Sequence, residues 1–164
     1  MEHLVVRIFN KKLIIVSEGT SIVAVCFEAQ PKFGYYSSHS NENKSSILLA
    51  LVADQLDQYA KGKRKTFDAR LLLKGTKFQK SVWSELKKIP SGKTASYLEI
   101  ATNIARPRAY RAVANAVGKN PISIIIPCHR VIRQGGDLGG YTGGIDIKQL
   151  LLSNELGSKH RLIV

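Results

Sequence analysis

The sequence predicts an α/β unit over residues 1–74, a small antiparallel sheet with a helix, followed by a mostly helical unit over residues 75–164 that carries a helix-turn-helix. Three observations lead there. β-Branched runs alternate through the first thirty residues, the apolar spacing changes to threes and fours after Gly75, and two short helix patterns lie inside a stretch without acidic residues. A length of 164 residues allows one domain or two small ones sharing an interface.

Leu4-Val5-Val6-Arg7-Ile8, Leu13-Ile14-Ile15-Val16 and Ile22-Val23-Ala24-Val25-Cys26-Phe27 read as three strands of a meander. Asn10-Lys11 and Glu18-Gly19-Thr20 between them read as hairpin turns. A polar stretch from Pro31 to Ser45 leads to Leu48, Leu51, Val52, Leu56 and Tyr59, the apolar face of one amphipathic helix. Lys61-Gly62-Lys63-Arg64-Lys65 ends it and begins a linker, with the domain boundary near residue 74.

Phe78, Val82, Trp83, Leu86 and Ile89 then form an apolar helix face behind a Thr76 cap. Ser96-Tyr97-Leu98-Glu99 has capping-box spacing and opens a helix carrying Leu98, Ile100, Ala101 and Ile104. Pro107 interrupts, and Ala109 to Val117 reads as a second helix closed by Gly118. Two short helices around a tight break suggest a helix-turn-helix. The last helix is expected over Ile147 to Leu156.

The charge is strongly positive: 25 Lys+Arg against 12 Asp+Glu, a formal +13. From Ile100 to Gly136 there is no acidic residue, whereas Arg106, Arg108, Arg111, Lys119, Arg130 and Arg133 fall there. Such a field favours a polyanion, nucleic acid first and an anionic membrane surface second, over a merely solvated basic surface. No window approaches the run of about 18 apolar residues expected of a membrane span. The start Met1-Glu2-His3 lacks the pattern of a signal peptide. Cys26 and Cys128 form neither a disulfide framework nor a Cys-x-x-Cys knuckle. The expectation is a cytoplasmic, thiol-keeping protein with no membrane partner.

The segment Ile122-Ser123-Ile124-Ile125-Ile126-Pro127-Cys128-His129-Arg130-Val131-Ile132 carries the chemistry. A buried apolar run stops at proline. If Pro127 starts a helical turn, Cys128 lies in its first turn, where free N–H groups favour a thiolate. His129, adjacent on such a turn, does not face the thiol and would need a bridging water to take its proton. An orienting carboxylate is then needed, and Asp137, Asp146 and Glu155 are the C-terminal candidates. Six glycines, from Gly135 to Gly144, surround Tyr141-Thr142. This loop lacks the Gly-Lys-Ser/Thr ending of a phosphate-binding loop and suits a flat ligand lined by Tyr141.

Ile126-Pro127-Cys128-His129-Arg130-Val131-Ile132 is similar to the active-site signature of the O6-alkylguanine-DNA alkyltransferases, also called methylated-DNA–protein-cysteine methyltransferases. The likeness extends from Gly75-Thr76-Lys77-Phe78-Gln79 through Val82-Trp83, Ile89-Pro90, Ser96-Tyr97, Arg111-Ala112-Val113 and Asn120-Pro121 to Tyr141-Thr142-Gly143-Gly144 and Glu155. It covers essentially all of the C-terminal ninety residues; the N-terminal half matches only in general layout. The resemblance implies a ribonuclease H-like N-terminal domain and a winged-helix-like helix-turn-helix that enters the minor groove. It implies transfer of a methyl or other alkyl group from guanine O6 in duplex DNA, after base flipping, to Cys128, once per protein molecule.

In that scheme His129, held by Glu155, activates Cys128 through water. Tyr97 helps displace the nucleotide and donates to the departing guanine, and Asn120 braces the turn before the active-site strand. Tyr141, Thr142, Gly143 and Val131 form the base pocket, Thr142 holding the guanine oxygen. Arg111 fills the stack, with Tyr97, Ala112, Ala114 and Asn115 at the DNA. No cofactor is implied, and the protein is expected to be a monomer in solution with alkylated duplex DNA as its partner. Ala114 departs from the glycine usual after Arg-Ala-Val. Some relatives bind a structural zinc, but here Cys26 has only His3 and His39 for company, so no metal is expected. A non-enzymatic helix-turn-helix module and a cysteine hydrolase are the competing readings; Cys128 argues against the first, and the lack of any oxyanion motif against the second.

Overall fold

The computed structural model describes residues 1–157. The chain divides into two compact units, Met1–Lys74 together with Pro121–Ile125, and Gly75–Asn120 together with the chain from Ile126 onward. The short excursion at 121–125 has no counterpart in the sequence reading, because a five-residue apolar segment gives no sign of which sheet it will pair with.

In the first unit β1 (Glu2–Ile8), β2 (Lys11–Glu18) and β3 (Ser21–Phe27) form the expected meander. The first turn is Phe9-Asn10, one residue earlier than expected, since Lys11 already pairs with Ile8. Both turn residues have positive φ, 53° and 60°, as a two-residue hairpin that follows the strand twist requires. All seven residues of β3 are buried. Its outer edge is covered: Ile22 N–H donates to Arg70 O at 2.8 Å, Val25 N–H to Pro121 O at 3.0 Å, and Ser123 N–H to Val25 O at 2.8 Å. Covering this edge removes a template for unwanted pairing, and β3 from Ile22 to Phe27 carries apolar side chains and Cys26.

Two elements fall in the stretch expected to be a polar connection. α1 (Lys32–His39) buries no residue outright, and its Gly34, Ser37 and Ser38 hide the helical pattern. Phe33 and Tyr36 nevertheless pack on the cluster of Ile14, Val16, Val23, Ala24 and Cys26. β4 (Asn41–Glu42) pairs parallel with β1, so the sheet, in order β3-β2-β1-β4, is mixed rather than wholly antiparallel. α2 (Ile47–Ala60), capped by Ser46, buries Leu49, Val52, Leu56 and Tyr59.

The second unit holds α3 (Lys77–Leu86), α4 (Tyr97–Asn103), α5 (Tyr110–Gly118) and α6 (Ile145–Leu156). β5 (Ala95–Ser96) and β6 (Val131–Ile132) pair in parallel. Thr76 with Gln79, and Ser96 with Glu99, form complete capping boxes, so both helix starts follow from local sequence. Trp83 is buried against α5, its indole N–H donating to Ala116 O at 2.8 Å. A Cβ at Gly75 would lie 2.7 Å from the Trp83 ring, so only glycine lets the chain enter α3 beside this side chain. Pro107–Ala109 makes a 3-10 turn between α4 and α5, after Ala105 has reversed the chain at φ 57°. The described residues thus contain a small mixed sheet and six α-helices.

Candidate active site

Cys128 begins a single 3-10 turn, Cys128–Arg130, following Pro127. The sequence reading placed this thiol in the first turn of a helix whose free N–H groups would favour a thiolate. The structure differs: the turn is three residues long, and the Cys128 N–H is engaged by Ile126 O at 2.8 Å. Burial dominates instead, with Cys128 only 6% exposed. It pushes the thiol up, and hydrogen bonding from Asn120 and Tyr141 and the positive charge of Lys148 oppose that push. The resting sulfur is therefore a protonated thiol at neutral pH.

Asn120 follows the end of α5 and is buried. Its side-chain amide donates to Ile126 O at 2.7 Å and to Cys128 Sγ at 3.1 Å. One residue thus fixes both the backbone before the cysteine and the sulfur itself.

His129 is fully buried. Its Nε2 lies 2.7 Å from Glu155 Oε1, while Nδ1 meets no hydrogen-bond partner among the described residues. With the carboxylate accepting at Nε2–H, the network assigns Nδ1 as the basic nitrogen. Burial lowers the His129 pKa and outweighs the raising effect of Glu155; the charges of Arg130 and Lys148 lower it further. The imidazole is accordingly neutral at rest and able to accept a proton.

Glu155 comes from α6, with a side chain only 1% exposed. Besides His129 it accepts from Arg130 Nε at 2.8 Å, Arg130 Nη2 at 2.9 Å and Gly92 N–H at 3.1 Å. Arg130 also donates to Ile89 O at 2.5 Å. A buried carboxylate is tolerable because charge and lone pairs are all matched. Of the three candidate carboxylates Glu155 is the one beside His129. Asp137 is 64% exposed and sits near Arg133, and Asp146 lies in the first turn of α6.

Tyr97, at the first position of α4, is half-buried; burial raises its pKa against the lowering charge of Arg133, so the phenol stays a hydrogen-bond donor. Gly139, at φ 66°, would carry a Cβ 3.3 Å from the Tyr97 hydroxyl, which places the glycine-rich loop directly against this ring. Thr142 donates its hydroxyl to Gly118 O at 2.9 Å, tying the loop to the end of α5. Val131 and Gly143 are buried, and Tyr141 is half-buried.

On α5, Val113, Ala116 and Val117 are buried, Ala114 is half-buried, and Arg111, Ala112 and Asn115 are exposed. The exposed residues share one helix face, and Arg111 lies near the Tyr110 ring at 5.9 Å. Sequence reasoning did not anticipate the roles of Arg130 in holding Glu155, of Gly92, or of Lys148, treated below. Arg130 stands beside the motif histidine, but nothing local reveals that its guanidinium turns toward α6. Cys26 is buried in the first unit, its thiol donating to Pro121 O at 3.6 Å. Among the described residues no helix is long and apolar enough to cross a membrane, and no cluster of three or more His, Cys, Asp or Glu is placed to hold a metal ion.

Residues 77–157 match the family described as 6-O-methylguanine DNA methyltransferase, DNA binding domain. The chain is similar to the methylated-DNA–protein-cysteine methyltransferase of Methanosarcina mazei, 56% identical over 104 residues, or 63% of this chain and 66% of that one. The corresponding Methanosarcina barkeri protein is 56% identical over 114 residues, 70% of this chain and 71% of its own length. The matched stretch thus takes in about two thirds of these relatives. Among solved structures, that of Mycobacterium tuberculosis OGT in complex with DNA superposes with a TM-score of 0.88 at 38% identity, covering 95% of this chain and 93% of the other.

Proposed function

The chain belongs to the methylated-DNA–protein-cysteine methyltransferase family, and from that membership we propose that it repairs duplex DNA by moving an alkyl group from guanine O6 to Cys128. The observation that carries the reading is the buried chain of contacts around the thiol: Asn120 on Cys128 Sγ, and Glu155 on the far nitrogen of His129.

The chemistry follows from these positions. The thiol proton passes through a bridging water to His129 Nδ1, and Glu155, held in place by Arg130, stabilises the resulting imidazolium. The thiolate attacks the alkyl carbon, an S–C bond forms, and the C–O6 bond breaks in line. Tyr97 donates to the departing guanine. Asn120 holds the sulfur during attack. Among the described residues no group near Cys128 is placed to cleave a thioether, and each molecule acts once.

A base within a duplex cannot reach a buried thiol, so the nucleotide must first be turned out, at a cost of a few kcal/mol. Arg111, exposed near the start of α5, fills the gap it leaves, with Ala112, Ala114, Asn115 and Tyr97 against the DNA. The α4–α5 pair acts as a winged-helix-like helix-turn-helix in the minor groove, and the first unit is ribonuclease H-like. Tyr141, Thr142, Gly143 and Val131 line the pocket for the extruded base. The acid-free basic stretch from residue 100 to 136 supports DNA as the partner. The protein acts as a monomer inside the cell.

The test is the mass of the intact protein after mixing with a duplex containing one O6-methylguanine. One methyl group on Cys128, and no further gain, is expected. Repeated turnover, or a label on Cys26, would sink the proposal.

A further inference from the structure

Lys148, on α6, is fully buried, an unusual state for a lysine. Its Nζ donates to Val131 O at 2.6 Å, to Leu138 O, and to Gly140 O at 3.5 Å. An ammonium has three N–H groups and no acceptor, so three carbonyls satisfy it completely. The three acceptors are not neighbours in sequence. Val131 opens β6, while Leu138 and Gly140 lie at the far side of the glycine-rich turn, just before Tyr141. A segment with this much glycine has no stiffness of its own, and the lysine gathers both of its arms onto α6.

We propose that Lys148 is a positioning residue for alkyl transfer: its ammonium, held by Val131, Leu138 and Gly140, pins the loop that presents Tyr141 and Thr142 and keeps a positive charge beside Cys128. The proposal rests on the alkyl-transfer reading above. An apolar side chain of similar length would fill the same space without desolvating a charge, but would take this donor from the buried Val131 carbonyl and from the partly buried Leu138 and Gly140 carbonyls. It would also remove the cation that favours the thiolate at the moment of attack.

The groups acting on this ammonium are Cys128 and Asp137, which favour its charged form, and Arg133, which disfavours it; His129 in turn feels its charge. Burial is the largest influence and brings Lys148 down to about 8. Above that pH the ammonium loses its proton, one carbonyl loses its donor, and the loop is released.

The experiment uses the full chain and a duplex with one O6-methylguanine. Single-turnover rates at saturating duplex are measured between about pH 6 and about pH 9.5, together with amide hydrogen exchange over residues 133–144. In the unmodified protein the rate should fall above about pH 8 even as the thiolate fraction grows, and loop exchange should rise beyond its intrinsic pH dependence. Lys148→Met should be about 10- to 100-fold slower, with no falling limb and with fast loop exchange throughout. Lys148→Arg, charged across the whole range, should recover part of the rate and keep it at high pH. A purely structural lysine would scale the rate without changing the shape of the profile. A methionine variant with unchanged rate and limb would overturn the proposal, as would an unmodified protein showing neither the limb nor the change in loop exchange. The last two measurements need no variant to fold. Failure of the unmodified protein to take up methyl at any pH would instead remove the alkyl-transfer reading, while loop exchange would still test the clamp.

Discussion

His129 Nε2 and Glu155 Oε1 lie 2.7 Å apart with both side chains withdrawn from solvent, and Arg130 grips the same carboxylate through two of its nitrogens. The carboxylate therefore serves two masters: it fixes the tautomer of the imidazole, and it neutralises a buried guanidinium. A residue placed only for catalysis would not need the second contact.

Glu155→Gln consequently damages both stability and transfer. Removing one partner of a buried ion pair leaves the other charge uncompensated, at a cost of about 3–5 kcal/mol. Urea denaturation should show a loss of that order, and transfer should fall sharply at temperatures where the variant is still folded. Glu155→Gln with unchanged stability would mean that Arg130 does not depend on this carboxylate.

The pH dependence of folding carries a second expectation. Burial lowers the His129 pKa below its usual value of about 6.5, so below that pH the unfolded chain binds a proton that the folded chain refuses. The stability this group contributes is thus present above about pH 6.5 and is lost as pH falls toward the folded value. Denaturation midpoints measured at successively lower pH should decline through this window. His129→Asn should flatten the decline; an equally steep slope in the variant would assign it to other groups.

Arg111 separates an inserted side chain from a phosphate contact. Arg111→Ala in a phosphate contact would lower affinity evenly, reduce the salt slope by about one unit, and leave the saturated rate alone. Insertion into the stack predicts that the single-turnover rate at saturating duplex itself falls, with poor rescue by Arg111→Lys, because a planar guanidinium stacks between bases and an ammonium does not. Rates on the free alkylated base, which needs no extrusion, should be unaffected. Equal loss on duplex and free base would make Arg111 a support of the pocket or fold.

Gly75→Ala tests packing far from the thiol. The added methyl meets two Trp83 ring atoms at 2.7 Å, and overpacking of this kind costs about 1–3 kcal/mol. Thermal denaturation should show the loss. An undiminished midpoint would mean that α3 can shift away from its own cap.

Much of the fold was legible because the signals are local. The two capping boxes at Thr76 and Ser96 satisfy orphan N–H groups within four residues of sequence, so α3 and α4 start where the spacing says. The β-branched runs mark β1 to β3 as strands, but the expected alternation is lost where β2 and β3 are buried on both faces. α1 escaped because a helix that buries no whole residue needs no apolar stripe, and β4 because two residues carry no periodicity at all.

The sequence by itself determined which side chains stand together at the candidate site: a cysteine after proline, followed by histidine and arginine, in a basic stretch that suits a polyanion. Tertiary structure alone decided what surrounds that group. Burial, which no residue announces, raises the Cys128 thiol where local position alone favoured its ionisation. The choice of Glu155 over Asp137 depends on α6 returning beside the 3-10 turn, and the role of Lys148 depends on three carbonyls from separated parts of the chain meeting at one ammonium. Electrostatic work depends on distance and dielectric in space, and neither is a property of spacing along the chain.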